Sequence, residues 1–452
     1  MKKIYIETIA PLLRGLTFDG EKGNIIIFED DLKKISVAIK YKKYSLIFSG
    51  GIISDQAITF NPLPLYLNLV PNSSFLDKKQ LRKKITSYTI EKFKAYKKKY
   101  NQDPSLVILE NTGIFYSGKS YNESIDIKNN YEDILKKIKT KPKTSEVQGH
   151  IKEKKSKTNS VCEKDLESNR NIKKIDRNEI VKNKIAVITG GAQGFGENIV
   201  RKLAEAECLV FIADINIEGA CQLSEELNIK YERTTSIPIR VDVTDEESVS
   251  KMIYEIVKKT GGIDIFISNA GVLKAGSVKE MDFLTFNFLT KVNYIGYFLC
   301  TKHASKIMSL QNIPSGKYFT DIIQINSKSG LKGSNKNSAY AGSKFGGLGL
   351  TQSFALELIE DNIKVNSICP GNFFEGPLWS DSKNGLFVQY LRTGKVPGAK
   401  TIEDVKEFYK LKVPMKRGCA GKDVIKAIYY IIDQKYETGQ AIPVTGGQVM
   451  LN

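Results

Sequence analysis

The stretch IAVITGGAQGFGENIVRKLAE, Ile185 to Glu205, joins a short apolar run to a helical pattern through a turn punctuated by Gly190, Gly194 and Gly196. Ile185 to Ile188 has the length and composition of a buried strand. Glycines after such a strand let the backbone approach a pyrophosphate. The helix that follows presents unpaired N–H groups and the positive end of its dipole. Thr189 leads the turn, giving a Thr-Gly-x-x-x-Gly-x-Gly spacing between strand and helix, where the mechanism needs it.

Working outward, a second strand, CLVFIADIN, ends at Asp214, 24 residues after Gly190. A carboxylate there can accept hydrogen bonds from ribose hydroxyls and would repel a 2'-phosphate. Ile215 follows it and the glycine turn carries neutral Gln193, so NAD is favoured over NADP; the plainer reading has Asp214 merely opening a turn. A third strand leads to VDVTDEES, with Asp242 and with Thr244 suited to cap a helix. IDIFISNAG places Asn269, Ala270 and Gly271 after a fourth strand, and TKVNYIGYFLCTKHASKIM reads as a long helix bearing Asn293, with His303 in a packing or surface role. In IIQINSKSGLKGSNKNSAYAGSK, Ile322 to Ile325 is a buried strand, and Tyr340 and Lys344 stand four apart at the start of a helix. That spacing puts phenol and ammonium on one face, and an ammonium draws a phenol down from about 10 towards neutrality. Ser327, thirteen residues before Tyr340, is placed to hold a substrate oxygen against the phenol.

Glycine turn, strand-end Asp, Asn-Ala-Gly, Asn293, and Ser327 with Tyr340 and Lys344 follow one another in an order that resembles the short-chain dehydrogenase/reductase family over residues 184–452. The resemblance implies a Rossmann-type doubly wound parallel sheet, an α/β fold, and a homotetramer built through the helices bearing Asn293 and Tyr340. It implies that Tyr340 moves the alcohol proton, Ser327 orients the same oxygen, Lys344 binds the nicotinamide ribose, and Asn293 holds a water in the proton relay. By the same resemblance the cofactor lies along Thr189, Gly190, Gln193, Gly194, Phe195, Gly196, Asp214, Asp242, Asn269, Ala270, Gly271, Pro370 and Gly371, together with Tyr340 and Lys344. CPGNFFEGPLW departs from the family's Pro-Gly-x-Val-x-Thr at Phe373 and Glu375. With SKFGGLGLTQS, KVPMKRGC and VTGGQVM it is similar to the sorbitol-6-phosphate 2-dehydrogenase branch. That likeness implies NAD-linked interconversion of a sugar alcohol phosphate and a ketose phosphate, and a phosphate needs a cation. Lys328 is the first candidate, then Lys274, with Lys416 and Arg417 behind them, although most such residues are solvated surface charges.

Ahead of this region, Asn24 to Phe28 and Ser45 to Phe48 read as short strands. Leu81, Ile85, Tyr88, Phe93, Tyr96 and Tyr100 form the apolar face of a Lys-rich helix, DPSLVILENTGIFYSG reads as strand, turn, strand, and Tyr131 to Ile138 closes as a helix. Ser54 to Leu67 and Leu106 to Gly118 resemble the later half of a class II aldolase domain, but Asn111, Thr112 and Gly113 stand where that family has Asn-His-Gly, so a metal ligand is missing. The expected organisation is a smaller, degenerate, metal-free α+β domain over 1–138, a basic linker over 139–182, and the Rossmann domain over 183–452.

Of the net charge of +18 over 452 residues, residues 136–184 contribute +9, residues 1–135 contribute +6 and residues 185–452 contribute +3. Charge concentrated in a segment without periodicity or interleaved aromatics describes a solvated linker, and no nucleic-acid partner is expected. No apolar run approaches the eighteen or so residues of a spanning helix, and Glu7, Pro11 and Arg14 interrupt the N-terminus before a signal core develops; the cytoplasm is expected, with no membrane partner. Cys162, Cys208, Cys221, Cys300, Cys369 and Cys419 show no paired spacing and read as buried free thiols, and two histidines, His150 and His303, exclude a histidine-rich metal centre. Retention of both Tyr340 and Lys344 weighs against a non-catalytic dinucleotide-binding regulator.

Overall fold

The computed structural model describes residues 1–40, 63–68, 76–140, 177–392 and 394–450. Most of the basic linker and the predicted strand at 45–48 lie outside these residues. Within them the chain runs α1 (Lys2–Leu16), β1 (Ile25–Glu29), α2 (Leu32–Lys40), β2 (Leu65–Leu67), α3 (Lys78–Tyr100), β3 (Leu106–Leu109), β4 (Gly113–Gly118) and α4 (Tyr121–Thr140). Then follow β5 (Ile185–Thr189), α5 (Gly194–Glu205), β6 (Leu209–Asp214), α6 (Ile217–Lys230), β7 (Ser236–Arg240), α7 (Glu246–Thr260), β8 (Ile265–Ser268) and α8 (Phe283–Thr290). The remainder is α9 (Gly296–Asn312), β9 (Thr320–Ile325), α10 (Ser338–Leu358), β10 (Ile363–Pro370), α11 (Pro377–Ser380), α12 (Leu386–Arg392), α13 (Ile402–Leu411), α14 (Gly421–Asp433) and β11 (Ala441–Val444).

Seven of these strands form one parallel sheet in the order β11-β10-β9-β8-β5-β6-β7. Strands covered on both faces read as continuous apolar runs, and β5, β6, β8, β9 and β10 are buried along their whole length. Side chains alternate across the sheet with the period of two that a strand dictates. Ala186 and Ile188 pack with Ile199 and Leu203 of α5, Leu223 of α6 and Ile428 of α14. Ile185 and Val187 face the other way, with Met252 and Ile256 of α7 and Ala304 and Ile307 of α9. The strand order reverses between β5 and β8, the topological switch point where α/β sheets hold ligands.

A second, mixed sheet has the order β1-β4-β3-β2, with β2 and β3 parallel and the other pairs antiparallel. Asn111 in the β3–β4 turn adopts the left-handed region at φ 56. A Cβ on Gly113 would lie 2.2 Å from the Phe28 ring. Asn111, Thr112 and Gly113 thus have a sufficient explanation in hairpin geometry. Among the described residues no group of His, Cys, Asp or Glu could hold a metal ion, and no helix is long and apolar enough to cross a membrane.

The two sheets are separate but their cores are not. Ile6, Ile9 and Leu13 of α1 and Ile26 of β1 belong to the same apolar cluster as Val249 and Ile256 of α7 and Ile307 of α9. Helix α1, which the sequence reading did not include and which holds Pro11 inside it, ends so close to α9 that a Cβ on Gly15 would lie 1.9 Å from the Gln311 carbonyl oxygen. The adjacent Arg14 is fully buried and its Nη2 meets Asp264 Oδ2 at 2.5 Å. Asp264 Oδ2 also accepts from the Ile185 N–H at 2.7 Å, while Oδ1 accepts from Gln311 Nε2 at 2.9 Å and from the Tyr318 hydroxyl at 2.6 Å. Arg14 Nη1 donates to the Gly23 and Asn24 carbonyls at 3.0 and 2.7 Å. Burial alone would raise the Asp264 pKa, but Arg14 and the hydrogen bonds from Tyr318 and Ile185 more than offset it and hold the carboxyl below its ordinary value.

Removing one member of a buried pair strands the other charge, at a cost of about 3–5 kcal/mol. Arg14→Met is therefore expected to lower the unfolding free energy of the whole chain by that amount in urea titrations. Lys2→Ala, which removes an exposed pair with Asp30, should cost no more than about 1 kcal/mol. Equal small effects would show that the N-terminal helix is not part of the shared core.

Candidate active site

The carboxyl ends of β5 and β8 lie side by side and are strapped together. Thr189 Oγ1 accepts from the Asn269 and Ala270 N–H groups at 3.0 and 3.1 Å, and Asn269 Nδ2 donates to the Thr189 and Gly190 carbonyls at 3.0 and 2.9 Å. Gly190 and Gly194 sit at φ +62 and +64, the left-handed region that only glycine enters without cost. Gly196 serves close approach instead: a Cβ there would lie 2.0 Å from the Gly190 carbonyl oxygen. Helix α5 starts at Gly194 with no side chain capping it, so its first N–H groups remain available to an anion.

Asp214 closes β6 next to this turn. Its Oδ2 accepts from the Ala192 N–H and its Oδ1 from the Asn216 N–H, both at 3.0 Å, which aims the carboxylate across the glycine turn and leaves lone pairs for further donors. One strand farther out, Asp242 Oδ1 accepts from the Thr244 N–H and hydroxyl at 2.9 and 2.7 Å. The Phe195 ring, at the start of α5, stacks on Phe373 with centroids 4.4 Å apart and an interplanar angle of 16°. This contact joins the glycine turn to the segment after Pro370 and Gly371. The turn, its open helix end and the strand-end carboxylate together fit the diphosphate and ribose of a dinucleotide.

Asn293 lies in a π-helical turn, Lys291–Ile295, between α8 and α9, a local widening often found at functional sites. Its Oδ1 accepts from the Val272 N–H at 2.9 Å, and its Nδ2 donates to the Val272 carbonyl at 2.9 Å and the Ser343 hydroxyl at 3.3 Å. A Cβ built on Gly271 would lie 3.3 Å from Asn293 Oδ1 and 3.7 Å from Lys344 Nζ. The Asn-Ala-Gly turn, the π turn and α10 therefore converge.

Ser327 stands two residues past the end of β9 and caps the short turn Lys328–Gly330, with its hydroxyl accepting from the Ser329 N–H at 3.1 Å and hydrogen-bonded to Tyr340. Lys344 is buried and donates to the Ile325 carbonyl at 3.1 Å; its Nζ stands 5.6 Å from the Tyr340 ring centroid. The expected lowering of the phenol is corrected by this geometry. Tyr340 is partly open to the cleft, yet enough protein surrounds it that desolvation raises its pKa, and the Ser327 hydroxyl reverses only part of that. Burial also pulls Lys344 down to about 8, which weakens the ammonium as a counter-charge. Cys369, the last residue before Pro370, is a buried free thiol as expected, but its place in the site was not foreseen. It is buried beside Ser327, Tyr340 and Lys344, and burial pushes its thiol up to about 11. Cys208 and Cys300 are likewise buried free thiols, whereas Cys221 is exposed.

The candidate substrate cations separate. Lys274 is exposed and donates to the Thr285 hydroxyl at 3.2 Å, Lys416 donates to the Leu411 carbonyl, and Arg417 pairs with Asp423 at 2.6 Å. Lys328, next to Ser327, is half-buried and has no such partner among the described residues.

This arrangement has close counterparts. Residues 184–382 match the family model described as short chain dehydrogenase. Sorbitol-6-phosphate 2-dehydrogenase of Escherichia coli (strain K12) is 37% identical over 271 residues, which are 59% of this chain and 99% of that protein. The crystal structure of sorbitol-6-phosphate 2-dehydrogenase SrlD from Erwinia amylovora superposes with a TM-score of 0.54 at 39% identity, covering 59% of this chain and all of that one. The likeness to the uncharacterized oxidoreductase YuxG of Bacillus subtilis (strain 168) is 26% identity but takes in 99% of this chain, which spans 64% of that protein's length. With strand order, glycine turn and Ser-Tyr-Lys geometry all present, the chain belongs to the short-chain dehydrogenase family, whose members bind a nicotinamide dinucleotide.

Proposed function

We propose that this protein is a cytoplasmic NAD-dependent dehydrogenase interconverting a sugar alcohol phosphate and a ketose phosphate, with sorbitol 6-phosphate and fructose 6-phosphate as the pair. The observation that carries the chemistry is the placement of Ser327 against Tyr340, with Lys344 one helical turn on and backed by Asn293. The substrate pair rests on the 37% identity to sorbitol-6-phosphate 2-dehydrogenase across 99% of that enzyme. NAD is favoured by the Asp214 carboxylate, which would repel a 2'-phosphate, with Ile215 rather than a cation beside it.

A bound nicotinamide dinucleotide supplies the acceptor or donor of the hydride. Ser327 and Tyr340 together hold the reacting oxygen, and Tyr340 takes its proton in oxidation and returns it in reduction. Lys344, whose Nζ stands 5.6 Å from the Tyr340 ring centroid, would hold the ribose of a bound dinucleotide. Asn293 fixes the chain around Val272 and so the floor on which Lys344 rests. In this reading the front part of the chain is a degenerate class II aldolase-like unit retained as a brace for α7 and α9.

Exposed apolar side chains gather on α8, α9 and α10. Phe283 and Leu284 are 74% and 77% exposed and Leu356 81%, and Phe286, Phe288, Phe298 and Phe345 are exposed too. Large exposed apolar side chains of this kind mark association and support a homotetramer built on these helices.

Three outcomes test the reading. The full-length protein should reduce NAD with sorbitol 6-phosphate, and Tyr340→Phe should lower kcat on the order of 10³-fold while leaving NAD binding intact; unchanged turnover would remove Tyr340 from the chemistry. The kcat/KM ratio should favour NAD over NADP by at least about a hundredfold, the factor that roughly 3 kcal/mol of charge repulsion gives, and Asp214→Asn should narrow it. A native preference for NADP would sink the cofactor assignment. Light scattering should give four times the chain mass, falling in a Phe345→Glu, Leu356→Glu variant; a monomeric parent would contradict the assembly.

A further inference from the structure

Beyond Pro370 the chain folds into α11, α12 and α13 around an aromatic cluster of its own. The Trp379 ring lies 5.8 Å from Tyr390 and 5.1 Å from Tyr409, and Tyr390 and Tyr409 are 5.3 Å apart. Two ammonium groups rest on these rings. Lys395 Nζ is 4.0 Å from the Tyr390 centroid, and Lys412 Nζ is 4.0 Å from Phe408 and 5.4 Å from Tyr409. Such stacking holds a cation in place without neutralising it.

This cluster packs against Leu273 and Ala275, just past the Asn269-Ala270-Gly271 turn that borders the site. Tyr390 is close enough to Tyr340 for the two phenols to repel each other's ionised forms. Lys328, half-buried next to Ser327, is pulled down to about 8 first by desolvation and then by the charges of Lys412 and Lys395. Lys395 is lowered by desolvation and by Lys336 and Lys412. Among the described residues neither lysine is paired with a carboxylate. By contrast, Lys34, elsewhere on the protein, is shared between Glu29 and Glu132. Like charges gathered in a partly desolvated cleft without a counter-charge repel one another, and a dianion relieves the repulsion.

We propose that Lys328, Lys395 and Lys412 form the subsite for the phosphate ester of the substrate, with Lys395 and Lys412 presented by the Tyr390–Tyr409 pair and Lys328 bridging to the reacting oxygen at Ser327. This subsite rests on the polyol phosphate reading above and supplies the cations that reading requires. It replaces Lys274, Lys416 and Arg417, whose side chains are engaged elsewhere.

Trp379 is the single tryptophan of the chain and touches both tyrosines, so its fluorescence reports on the subsite without turnover. The full-length protein with NAD is titrated with inorganic phosphate and assayed with sorbitol 6-phosphate and with sorbitol. A Lys395→Met, Lys412→Met variant and a Lys395→Arg, Lys412→Arg variant are run alongside. The parent and the arginine variant are expected to give a saturable fluorescence change that the methionine variant lacks. In the methionine variant kcat/KM for sorbitol 6-phosphate should fall about a hundredfold, roughly tenfold per lysine, with kcat/KM for sorbitol unchanged. A response to phosphate that survives in the methionine variant, no saturable response in the parent, or equal losses with both polyols would overturn the subsite. If the phosphate response is lost as expected but the parent oxidises no polyol phosphate, the anion subsite stands and the substrate reading falls. Turnover of sorbitol 6-phosphate unaffected by the methionine substitutions does the reverse.

Discussion

One buried carboxylate, Asp264, sets the frame on which the site is built. It stands just before β8 and accepts from the first N–H of β5, from Gln311 at the end of α9, from Tyr318 before β9, and from Arg14 of the N-terminal helix. At the opposite end of the same two strands, Asn269 and Thr189 exchange the hydrogen bonds that shape the glycine turn. The strand pair is thus clamped below and strapped above, and the glycine turn and the Asn-Ala-Gly turn project from the strapped end. A buried ion pair is weak evidence for stability in itself. Its effect here is registration, since four elements must arrive together before Asp264 is satisfied.

The clamp also explains why the front part of the chain is more than an appendage. Its sheet is separate, but α1 and β1 fill apolar surface on α7 and α9 and Arg14 completes the polar network between them. The likeness to YuxG across 99% of this chain accords with a front region that travels with the dehydrogenase part.

Much of the larger sheet was legible in the sequence because its signals are local. Apolar runs of strand length, glycines at a fixed spacing and a Tyr-x-x-x-Lys pair each act within one or two elements, and the structure brings Ser327, Tyr340, Lys344 and Asn293 near one another. What escaped was long-range. Arg14 reads as an interruption of an apolar N-terminus until its partner, 250 residues away, is in view. Pro11 argues against a helix on propensity, and tertiary packing of Ile6, Ile9 and Leu13 overrides it. Proton affinities were misjudged for the same reason: spacing shows that Lys344 neighbours Tyr340 but not that burial weakens both groups' charged forms. Lys395 and Lys412 carry no signal of their own, since only the folding of α12 and α13 around Trp379 brings them to the cleft beside Lys328.

The chemistry assigned to the protein reduces to one geometric statement: a single substrate oxygen meets both Ser327 and Tyr340 while the dinucleotide lies along the switch point. A crystal structure of the full-length protein with NAD and sorbitol 6-phosphate tests it most directly. The hydroxyl of the carbon to be oxidised is expected within hydrogen-bond distance of Ser327 Oγ and Tyr340 Oη, and the adenosine ribose on Asp214. Sorbitol 6-phosphate bound with its hydroxyls away from Tyr340, or a dinucleotide bound off the glycine turn, would contradict it.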